Sequence, residues 1–212
     1  MTRICFVRHG ETPWNTERRL QGHIDIPLNE RGQAQAVAAA AWLSRYPLAA
    51  IYSSDLQRAA ATAAHIGVAL GLSPLLDTAF RERCYGIFEG LTYDEAQQRH
   101  PEAYAHFQNR QPDFSFAEGG ESLIAFSARI VDRLQAVAAA HVGQTVVIVA
   151  HGGVLDVVHR FVRQTPLHTP RDFAIPNAGI NWLTVEGDDW QIEAWALTEH
   201  LETPAMDELR FA

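Results

Sequence analysis

An apolar strand that ends in a His-Gly pair occurs twice in this chain, at residues 4–10 and again at residues 146–152. Both runs are rich in side chains that favour strands. The second is apolar throughout, which is typical of a strand buried on both faces of a parallel sheet. The carboxyl ends of parallel strands meet at one edge of the sheet, where ligands bind in open α/β folds. We therefore expect His9 and His151 to lie close together at that edge.

Strands and helices alternate along much of the chain. The last two predicted strands are separated by a Gly-Asp-Asp turn at residues 187–189, which predicts an antiparallel hairpin. This alternation predicts an α/β fold of three layers, in which helices flank a mostly parallel central sheet with an antiparallel edge. The predicted strands are 4–7, 49–52, 75–76, 145–149, 181–185 and 191–195, and the predicted longer helices are 30–46, 56–70, 123–141 and 154–162.

Residues 80–120 interrupt the alternation with glycines and aromatic side chains that follow no clear period. A capping-box pattern that begins at Thr92 and a proline at position 101 predict two short helices within this segment. We interpret residues 80–120 as a small, mainly helical cap insertion within one domain that spans residues 1–212. The polar connection 10–28 is long and lacks periodicity, which is typical of a functional loop.

Composition and charge restrict the partners of this domain. The chain has 212 residues and a formal net charge of −8, without a basic cluster, which argues against nucleic acid as a partner. The apolar runs are shorter than the ~20 residues of a membrane span, and the amino terminus lacks the apolar run of a signal peptide. We therefore predict a cytoplasmic protein that does not bind membranes. A homodimer is compatible with these features.

The two cysteines suggest neither a disulfide framework nor a metal site. Cys5 lies within the first predicted strand, and Cys84 lies in the irregular segment after residue 80. Their spacing does not match the paired patterns of cysteine-rich metal sites, and the chain shows no metal-binding histidine motif. We accordingly predict no metal and no other cofactor.

Four side chains with donor or nucleophilic groups are expected at the shared edge of the sheet. Arg8 and His9 end the first strand. Arg58 lies in the first turn of a predicted helix, and His151 ends the central strand. Guanidinium groups bind phosphate, and a neutral imidazole is a nucleophile near pH 7. Since phosphoryl transfer spreads negative charge over three equatorial oxygens, this cluster predicts a site for a phosphoryl group.

Short motifs in a fixed order support this interpretation. They are Arg8-His9-Gly10-Glu11-Thr12 with Asn15; Leu20-Gln21-Gly22 with Asp25; Pro27-Leu28, Arg31-Gly32 and Gln35-Ala36; Tyr52-Ser53-Ser54-Asp55-Leu56 with Arg58, Ala59 and Thr62; Glu82 with Gly86 and Phe88-Glu89-Gly90; and Ala150-His151-Gly152-Gly153. Their order resembles the histidine phosphatase superfamily, in its phosphoglycerate mutase-like branch. The resemblance covers residues 3 to about 155 in order and the remainder more loosely.

The resemblance implies roles for the matching residues at the strand ends. His9 would be the nucleophile that forms a phosphohistidine. Arg8, Arg58 and His151 would hold the phosphoryl oxygens, and the two arginines should lower the pKa of His9 and keep it neutral. The residues expected to add substrate contacts around the pocket are Asn15, Gln21, Gly22 and Gly152.

The resemblance also implies a carboxyl group that handles the proton of the leaving oxygen. Glu82 would donate this proton and later act as the base that activates water. A neighbouring phosphate should raise the pKa of Glu82 and so keep its proton in place. Glu89 lies in the same stretch and is the alternative proton donor.

Three functions remain open at the level of the sequence. The first is a metal-independent hydrolase of a small phosphorylated metabolite, acting through phosphohistidine. The second is a cofactor-dependent phosphoglycerate mutase; the span from Glu82 to His151 is short for a mutase, which favours hydrolysis. The third is a catalytically silent phosphate-binding module, which the complete set of motif residues disfavours.

Overall fold

A mixed six-stranded sheet forms the centre of the computed structural model, which describes residues 1–207. Its strands are β1 (Thr2–Arg8), β2 (Ala50–Ser53), β3 (Leu75–Leu76), β4 (Thr145–Ala150), β5 (Ile180–Glu186) and β6 (Asp189–Leu197). They lie in the order β3-β2-β4-β1-β5-β6. The first four are parallel, and β5 and β6 add an antiparallel edge. The predicted fold class is therefore confirmed.

Helices cover both faces of this sheet. They are α1 (Pro13–Glu17), α2 (Glu30–Leu43), α3 (Gln57–Leu70), α4 (Tyr93–Arg99), α5 (Pro101–Gln108), α6 (Leu123–Ala140) and α7 (Gly152–Arg163). Alternate side chains of a strand point to opposite faces of its sheet, so each central strand contributes to two cores. Ile4 and Phe6 pack in the core covered by α6 and α7, whereas Cys5 and Val7 pack against α2 and α3. The molecule thus has the predicted three layers.

The cap segment has a small core of its own. Phe88, Ala96 and Phe116 are buried together with Leu20, which comes from the connection after β1. The backbones of these two segments also pair, because Gly90 donates to the Leu20 carbonyl at 2.8 Å and Leu20 donates to the Leu91 carbonyl at 2.9 Å. The cap contains the two expected short helices, α4 and α5, and a 3-10 turn; the rest of it is irregular.

The observed helix boundaries correct the sequence prediction in three places. The connection predicted to be irregular contains α1, which is stabilised by a capping box between Thr12 and Asn15. Helix α2 ends at Leu43, three residues before the predicted end, and Ser44 caps it. Helix α7 begins at Gly152, two residues before the predicted start, because the chain turns into the helix directly after the end of β4.

The carboxyl ends of β1, β2 and β4 reach the same edge, as predicted. β1 and β4 are paired in register from Arg3 with Thr145 to Arg8 with Ala150. Ser53, the last residue of β2, lies beside Val149 of β4.

None of the helices within residues 1–207 is long and apolar enough to cross a lipid bilayer. Residues 208–212 lie outside the described part.

Candidate active site

The site lies at the sheet edge where β1 and β4 end. Arg8 lies beside Ala150 in the sheet. The rings of the next residues, His9 and His151, have centroids 5.2 Å apart. Arg58 reaches the same place from the first turn of α3, and its Nε lies 3.2 Å from Nδ1 of His151. The structure therefore brings together the four side chains expected at this edge, and all four are buried.

The main chain fixes the ring of His9 in one tautomer. Nδ1 lies 2.7 Å from the carbonyl oxygen of Gly10, and a carbonyl oxygen can only accept a hydrogen bond. Nδ1 therefore carries the proton, and Nε2 keeps its lone pair. The backbone is fixed as well, because the amide of His9 donates to the Ala150 carbonyl and the amide of Gly10 donates to Oγ1 of Thr62. A nitrogen nucleophile is thus oriented beside the pocket before any substrate binds.

The ring of His151 has the opposite tautomer. A guanidinium group can only donate hydrogen bonds, so Nδ1 of His151 accepts from Nε of Arg58. The proton of the neutral ring is then on Nε2, which is buried and has no hydrogen-bond partner in the described part of the chain. The two histidines therefore offer complementary groups to a bound phosphoryl group. His9 offers a lone pair, and His151 offers an N–H donor.

Backbone carbonyl groups hold the two guanidinium groups in place. Arg58 donates from Nη2 to the Gly22 carbonyl at 2.8 Å and from Nη1 to the Ile24 carbonyl at 3.1 Å. Arg8 donates from Nη1 to the Ile175 carbonyl at 2.6 Å. These partners are neutral carbonyl oxygens. Both side chains line the pocket and can balance the charge of a phosphoryl group.

Burial and positive charge act in the same direction on both histidines. Burial lowers the pKa of His9 well below its usual value, and the charges of Arg58 and Arg8 lower it further. Burial likewise lowers the pKa of His151, with Arg58 as the next cause. Burial also lowers the pKa of Arg58 to about 10, so that its guanidinium group is still charged at neutral pH. The site therefore combines two neutral imidazole rings with the positive charges of the neighbouring arginines, Arg8 and Arg58.

Glu82 contributes a buried carboxyl group to the same pocket. Its Oε2 accepts from the amide of Gly153 at 2.9 Å, and its Oε1 accepts from the amide of Arg83 at 2.7 Å. Burial raises the pKa of Glu82, although the two amide hydrogen bonds oppose this rise. A carboxyl group with a raised pKa is suited to donate a proton to a leaving oxygen.

Glu89, the alternative carboxyl group, has a different environment. Its Oε1 accepts from the backbone amides of His23 and Tyr85, each at 3.0 Å. The bond from His23 joins the segment after β1 to the cap, and the bond from Tyr85 lies within the cap. Glu82 is among the residues that line the His9 pocket, and Glu89 is not. The geometry therefore favours Glu82 for proton transfer. Glu89 instead stabilises the local backbone as a hydrogen-bond acceptor.

Asn15 and Gln21, two of the residues expected to contact substrate, line the pocket. Oδ1 of Asn15 accepts from the amide of Thr12 at 3.0 Å, as part of the capping box of α1. This side chain therefore also helps to form the helix next to the pocket. Oε1 of Gln21 is buried and has no hydrogen-bond partner among residues 1–207. It is thus an acceptor that a substrate hydroxyl group can use.

The two expected glycines act through the arginines. The carbonyl group of Gly22 accepts from Arg58, as described above, so its main chain positions a guanidinium group that lines the pocket. Gly152 opens α7 beside Arg8, whose Cζ and Nε would lie 3.6 Å from a side chain at this position. The absence of a side chain at Gly152 keeps the space in front of the guanidinium group open.

Comparison with known proteins identifies the family. The model of the histidine phosphatase superfamily, branch 1, matches residues 4–198. The chain belongs to this superfamily. It is 40% identical to phosphoglycerate mutase-like protein 4 of Arabidopsis thaliana, over 94% of this chain and 86% of that protein. It is 36% identical to the metal-independent phosphoserine phosphatase of Arabidopsis thaliana, over 96% of this chain and 84% of that protein.

A solved structure supports the same assignment. YhfR of Bacillus stearothermophilus superposes with a TM-score of 0.88 at 32% identity, and the match covers 95% of this chain and all of that one. The resemblance stated from the sequence motifs is therefore confirmed, and so is the predicted class of enzyme. Proteins named as a phosphatase and as mutase-like are both among the relatives of this histidine phosphatase.

Sequence analysis missed the loop that supports the strand end carrying His9. In this histidine phosphatase the amide of Ala178 lies 3.1 Å from the Arg8 carbonyl and 3.2 Å from the His9 carbonyl. Nδ2 of Asn177 also donates to the His9 carbonyl at 3.1 Å, and Ile175 accepts the hydrogen bond from Arg8. The only available signal was the Pro-Asn-Ala-Gly turn motif before β5, which indicates a turn but not its partner.

The cations of the site come from side chains. Within residues 1–207 there is no group of three or more His, Cys, Asp or Glu side chains that could hold a metal ion. The groups placed to neutralise a phosphoryl group are the guanidinium groups of Arg8 and Arg58. Arginine provides this neutralisation together with directed hydrogen bonds.

Proposed function

We propose that the protein hydrolyses small phosphomonoesters without a metal ion, through a phosphohistidine formed on His9. The observation that carries this proposal is the pair of complementary tautomers in the site. Nε2 of His9 has a lone pair fixed by the Gly10 carbonyl, and Nε2 of His151 has a proton fixed by Arg58. A nucleophile and a donor to the transferred group thus lie next to each other, and the buried carboxyl group of Glu82 lines the same pocket as His9.

In the first step of the proposed reaction, Nε2 of His9 attacks phosphorus and the ester P–O bond breaks. Glu82 gives its proton to the leaving oxygen, so that the alcohol departs neutral. The imidazole ring becomes positively charged, and the hydrogen bond from Nδ1 to the Gly10 carbonyl stabilises that charge. Arg8, Arg58 and His151 hold the three equatorial oxygens as negative charge spreads over them.

In the second step the phosphohistidine is hydrolysed. The carboxylate of Glu82 takes a proton from a water molecule, and the oxygen of that water attacks phosphorus. The P–N bond breaks, its electron pair returns to Nε2 of His9, and inorganic phosphate leaves. Glu82 is again protonated, and its raised pKa favours this state. The same carboxyl group thus serves as acid and then as base.

A mutase is the second candidate, because the relative with 40% identity is named phosphoglycerate mutase-like. The two functions share the phosphohistidine and differ in what accepts the phosphoryl group. In hydrolysis the acceptor is water, and in a mutase it is a second hydroxyl group of the substrate. The span between Glu82 and His151 is short for a mutase, which remains our reason to favour hydrolysis. The silent binding module is disfavoured because no residue of the expected catalytic set is missing from the sequence.

A phosphate-release assay distinguishes these candidates. The purified protein is incubated with p-nitrophenyl phosphate, glycerol 3-phosphate, phosphoserine and 3-phosphoglycerate, and isomerisation of 3-phosphoglycerate is followed in parallel with a bisphosphoglycerate primer. We expect phosphate release to outpace isomerisation, and we expect EDTA to leave the rate unchanged. His9→Ala is expected to abolish release while leaving the melting temperature close to that of the parent protein.

Other results of this assay would contradict the proposal in different ways. Isomerisation faster than release would make the protein a mutase. A folded protein with intact site residues that shows neither reaction would revive the binding module. Near-parental activity of His9→Ala would show that the nucleophile is another residue, and a large loss on chelation would show that the reaction needs a metal ion.

A further inference from the structure

The peptide group between Gly10 and Glu11 connects the nucleophile to helix α2. Its carbonyl oxygen, which belongs to Gly10, accepts the hydrogen bond from Nδ1 of His9 at 2.7 Å. Its N–H group, which belongs to Glu11, donates to Oε1 of Gln35 at 2.8 Å. The two hydrogen bonds therefore lie on opposite sides of one planar peptide group, and they join His9 to Gln35 in series.

Helix α2 packs directly against this peptide group. A methyl group at Gly32 would lie 2.7 Å from the amide nitrogen of Glu11, and one at Gly10 would overlap the Gly32 carbonyl group. The amide of Asn29, which precedes α2, donates to the Glu11 carbonyl at 3.0 Å. The two backbones approach this closely because both contact positions are glycines. Gln35 lies three residues after Gly32, in the same sequence motif, and so reaches the Glu11 amide.

Packing alone does not account for a glutamine at position 35. The residue is 5% exposed, and its Nε2 is buried without a hydrogen-bond partner among residues 1–207. A buried donor without a partner is costly, and a methionine of similar size would avoid that cost. What Gln35 provides is Oε1, the acceptor for the buried amide of Glu11. Because an amide N–H can only donate, this bond also fixes the orientation of the Gln35 side chain.

The hydrogen bond to Gln35 affects the Gly10 carbonyl through the peptide group. Hydrogen bonds in series polarise one another, so an acceptor for the N–H group makes the carbonyl oxygen a stronger acceptor. The bond also fixes the plane of the peptide group, because rotation would leave the buried Glu11 N–H without a partner. Both effects strengthen the hydrogen bond that Nδ1 of His9 donates to the Gly10 carbonyl.

We propose that Gln35 is a positioning residue for the nucleophile, which acts on His9 through the peptide group between Gly10 and Glu11. It keeps the lone pair on Nε2 of His9 in the free protein. It also stabilises the positive charge that the ring acquires when Nε2 attacks phosphorus. This inference rests on the proposed function, and it adds a residue of α2 that does not line the His9 pocket.

The two steps of the proposed reaction should respond differently to the loss of Gln35. Phosphorylation places a positive charge on the ring of His9, and a stronger carbonyl acceptor stabilises that charge. Dephosphorylation removes the charge, since the electron pair of the P–N bond returns to the ring, so the same acceptor does not accelerate this step. Loss of Gln35 should therefore slow the first step and not the second, whereas a general disturbance of the pocket would slow both.

Gln35→Met in a Glu82→Gln background separates the two steps. Without the Glu82 carboxylate the phosphohistidine should accumulate, and p-nitrophenyl phosphate should still form it because nitrophenolate leaves without a proton. The burst of nitrophenolate gives the rate of phosphorylation, and the loss of radiolabelled phosphate from the isolated phosphoprotein gives the rate of dephosphorylation. We expect Gln35→Met to lower the first rate about ten-fold, as for the loss of one hydrogen bond, and not to lower the second.

Two further variants are the controls. Gln33→Met makes the same replacement at an exposed position of α2, where the side chain contacts His65, and both rates should stay within about two-fold. Gln35→Glu keeps an oxygen that can accept from the Glu11 amide whether or not the carboxyl group is ionised, so phosphorylation should stay within about three-fold. If Gln35→Met does not fold, Gln35→Glu decides the question, because it leaves the Glu11 amide with an acceptor.

Proton NMR gives a measurement that needs no turnover. The signal of the His9 Nδ1 proton reports the strength of its hydrogen bond to the Gly10 carbonyl. In an otherwise unchanged protein, Gln35→Met should move this signal upfield, as expected for a weaker bond. Gln33→Met should leave the signal where it is in the parent protein.

The results separate this inference from the proposed function. Equal losses in both steps of Gln35→Met, or no loss in the first, would overturn the role of Gln35. A ten-fold loss of phosphorylation in Gln35→Glu would do the same, and so would an unchanged Nδ1 proton signal in Gln35→Met. If no ester labelled His9 or released phosphate, the proposed function would be wrong, and the proton signal would still show whether Gln35 acts on the ring.

Discussion

Two glutamates in one stretch of sequence have different environments, and the difference can be measured. Glu82 is buried beside the His9 pocket and has a raised pKa, whereas Glu89 accepts hydrogen bonds from the backbone. We expect Glu82→Gln to lower kcat/KM for an alkyl phosphate by about 10²- to 10⁴-fold, the usual contribution of a general acid–base group. For p-nitrophenyl phosphate the loss of kcat/KM should be smaller than ten-fold, because kcat/KM reports the steps up to departure of the leaving group, and nitrophenolate leaves without a proton. Steady-state kinetics with both esters give the two numbers.

Glu89→Gln is the matched control for this experiment. A glutamine oxygen can still accept from the amides of His23 and Tyr85, so we expect activity within about three-fold of the parent protein. The pH profile gives a second measurement. In the parent protein kcat/KM should fall as the pH rises through the raised pKa of Glu82, and this decline should be absent from Glu82→Gln. A large loss in Glu89→Gln with an alkyl ester, and little in Glu82→Gln, would reverse the assignment.

At the scale of elements, strands and their ends were the most predictable parts of this molecule. The run at residues 145–149 is apolar throughout because both faces of β4 are buried, and this signal does not depend on tertiary detail. The convergence of His9 and His151 followed from parallel pairing alone. Short elements were not predictable in this way. Helix α1 has five residues, too few to show a period, and depends on the capping box at Thr12.

The contacts that support the site could also not be predicted from the sequence. Asn177 contacts the His9 carbonyl from 168 positions away in the chain, and no local pattern encodes that contact. The choice between Glu82 and Glu89 likewise depended on which carboxyl group accepts a hydrogen bond from a backbone amide in the first turn of α7. The order of the motifs therefore predicted which residues belong to the candidate site, whereas the geometry of the site depends on tertiary contacts.

Gly153, in the first turn of α7, allows a test of how this helix positions Glu82. A methyl group added at Gly153 would lie 2.2 Å from Oε1 of Glu82, which is too close for contact. Gly153→Ala should thus displace the Glu82 carboxyl group. Alanine also favours a helix over glycine by roughly 1 kcal/mol, so the fold should be retained. We expect kcat/KM for an alkyl phosphate to fall about ten- to a hundred-fold, with much less change in kcat/KM for p-nitrophenyl phosphate.

Two measurements check the Gly153→Ala prediction. Kinetics with the two esters show whether proton donation is what is lost, and thermal unfolding shows whether the melting temperature is kept. An equal loss with both esters would mean that the substitution disturbs phosphate binding by Arg8 rather than the position of Glu82. A variant with parental activity on the alkyl ester would mean that the Glu82 side chain has room to move and still donate its proton.

At the scale of the whole molecule, the buried neutral histidines make stability depend on pH. The pKa values of His9 and His151 are lowered by burial, and burial also lowers that of His159 to about 4. Below pH 6.5 the unfolded chain binds protons at these positions and the native protein does not, so the free energy of unfolding falls as the pH falls. Each such histidine contributes a slope of up to about 1.4 kcal/mol per pH unit. Glu82, with a raised pKa, acts in the opposite direction above the pKa it has in the unfolded chain, but it is one carboxyl group against four histidines, because the pKa of His200 is lowered as well.

Urea unfolding of the parent protein and of His151→Asn at pH 7.5, 6.0 and 5.0 tests this linkage. The parent protein should lose stability toward pH 5.0, and the slope for His151→Asn should be smaller by about one proton, roughly 1.4 kcal/mol per pH unit at most. His65→Asn replaces a surface histidine of α3 that contacts Gln33, and it serves as the control with the parental slope. If His151→Asn kept the parental slope, the pKa of His151 would not be lowered in the native protein. Nδ1 would then be protonated below pH 6.5 and could not accept from Arg58 there, which would contradict the conclusion that burial and Arg58 keep this ring neutral.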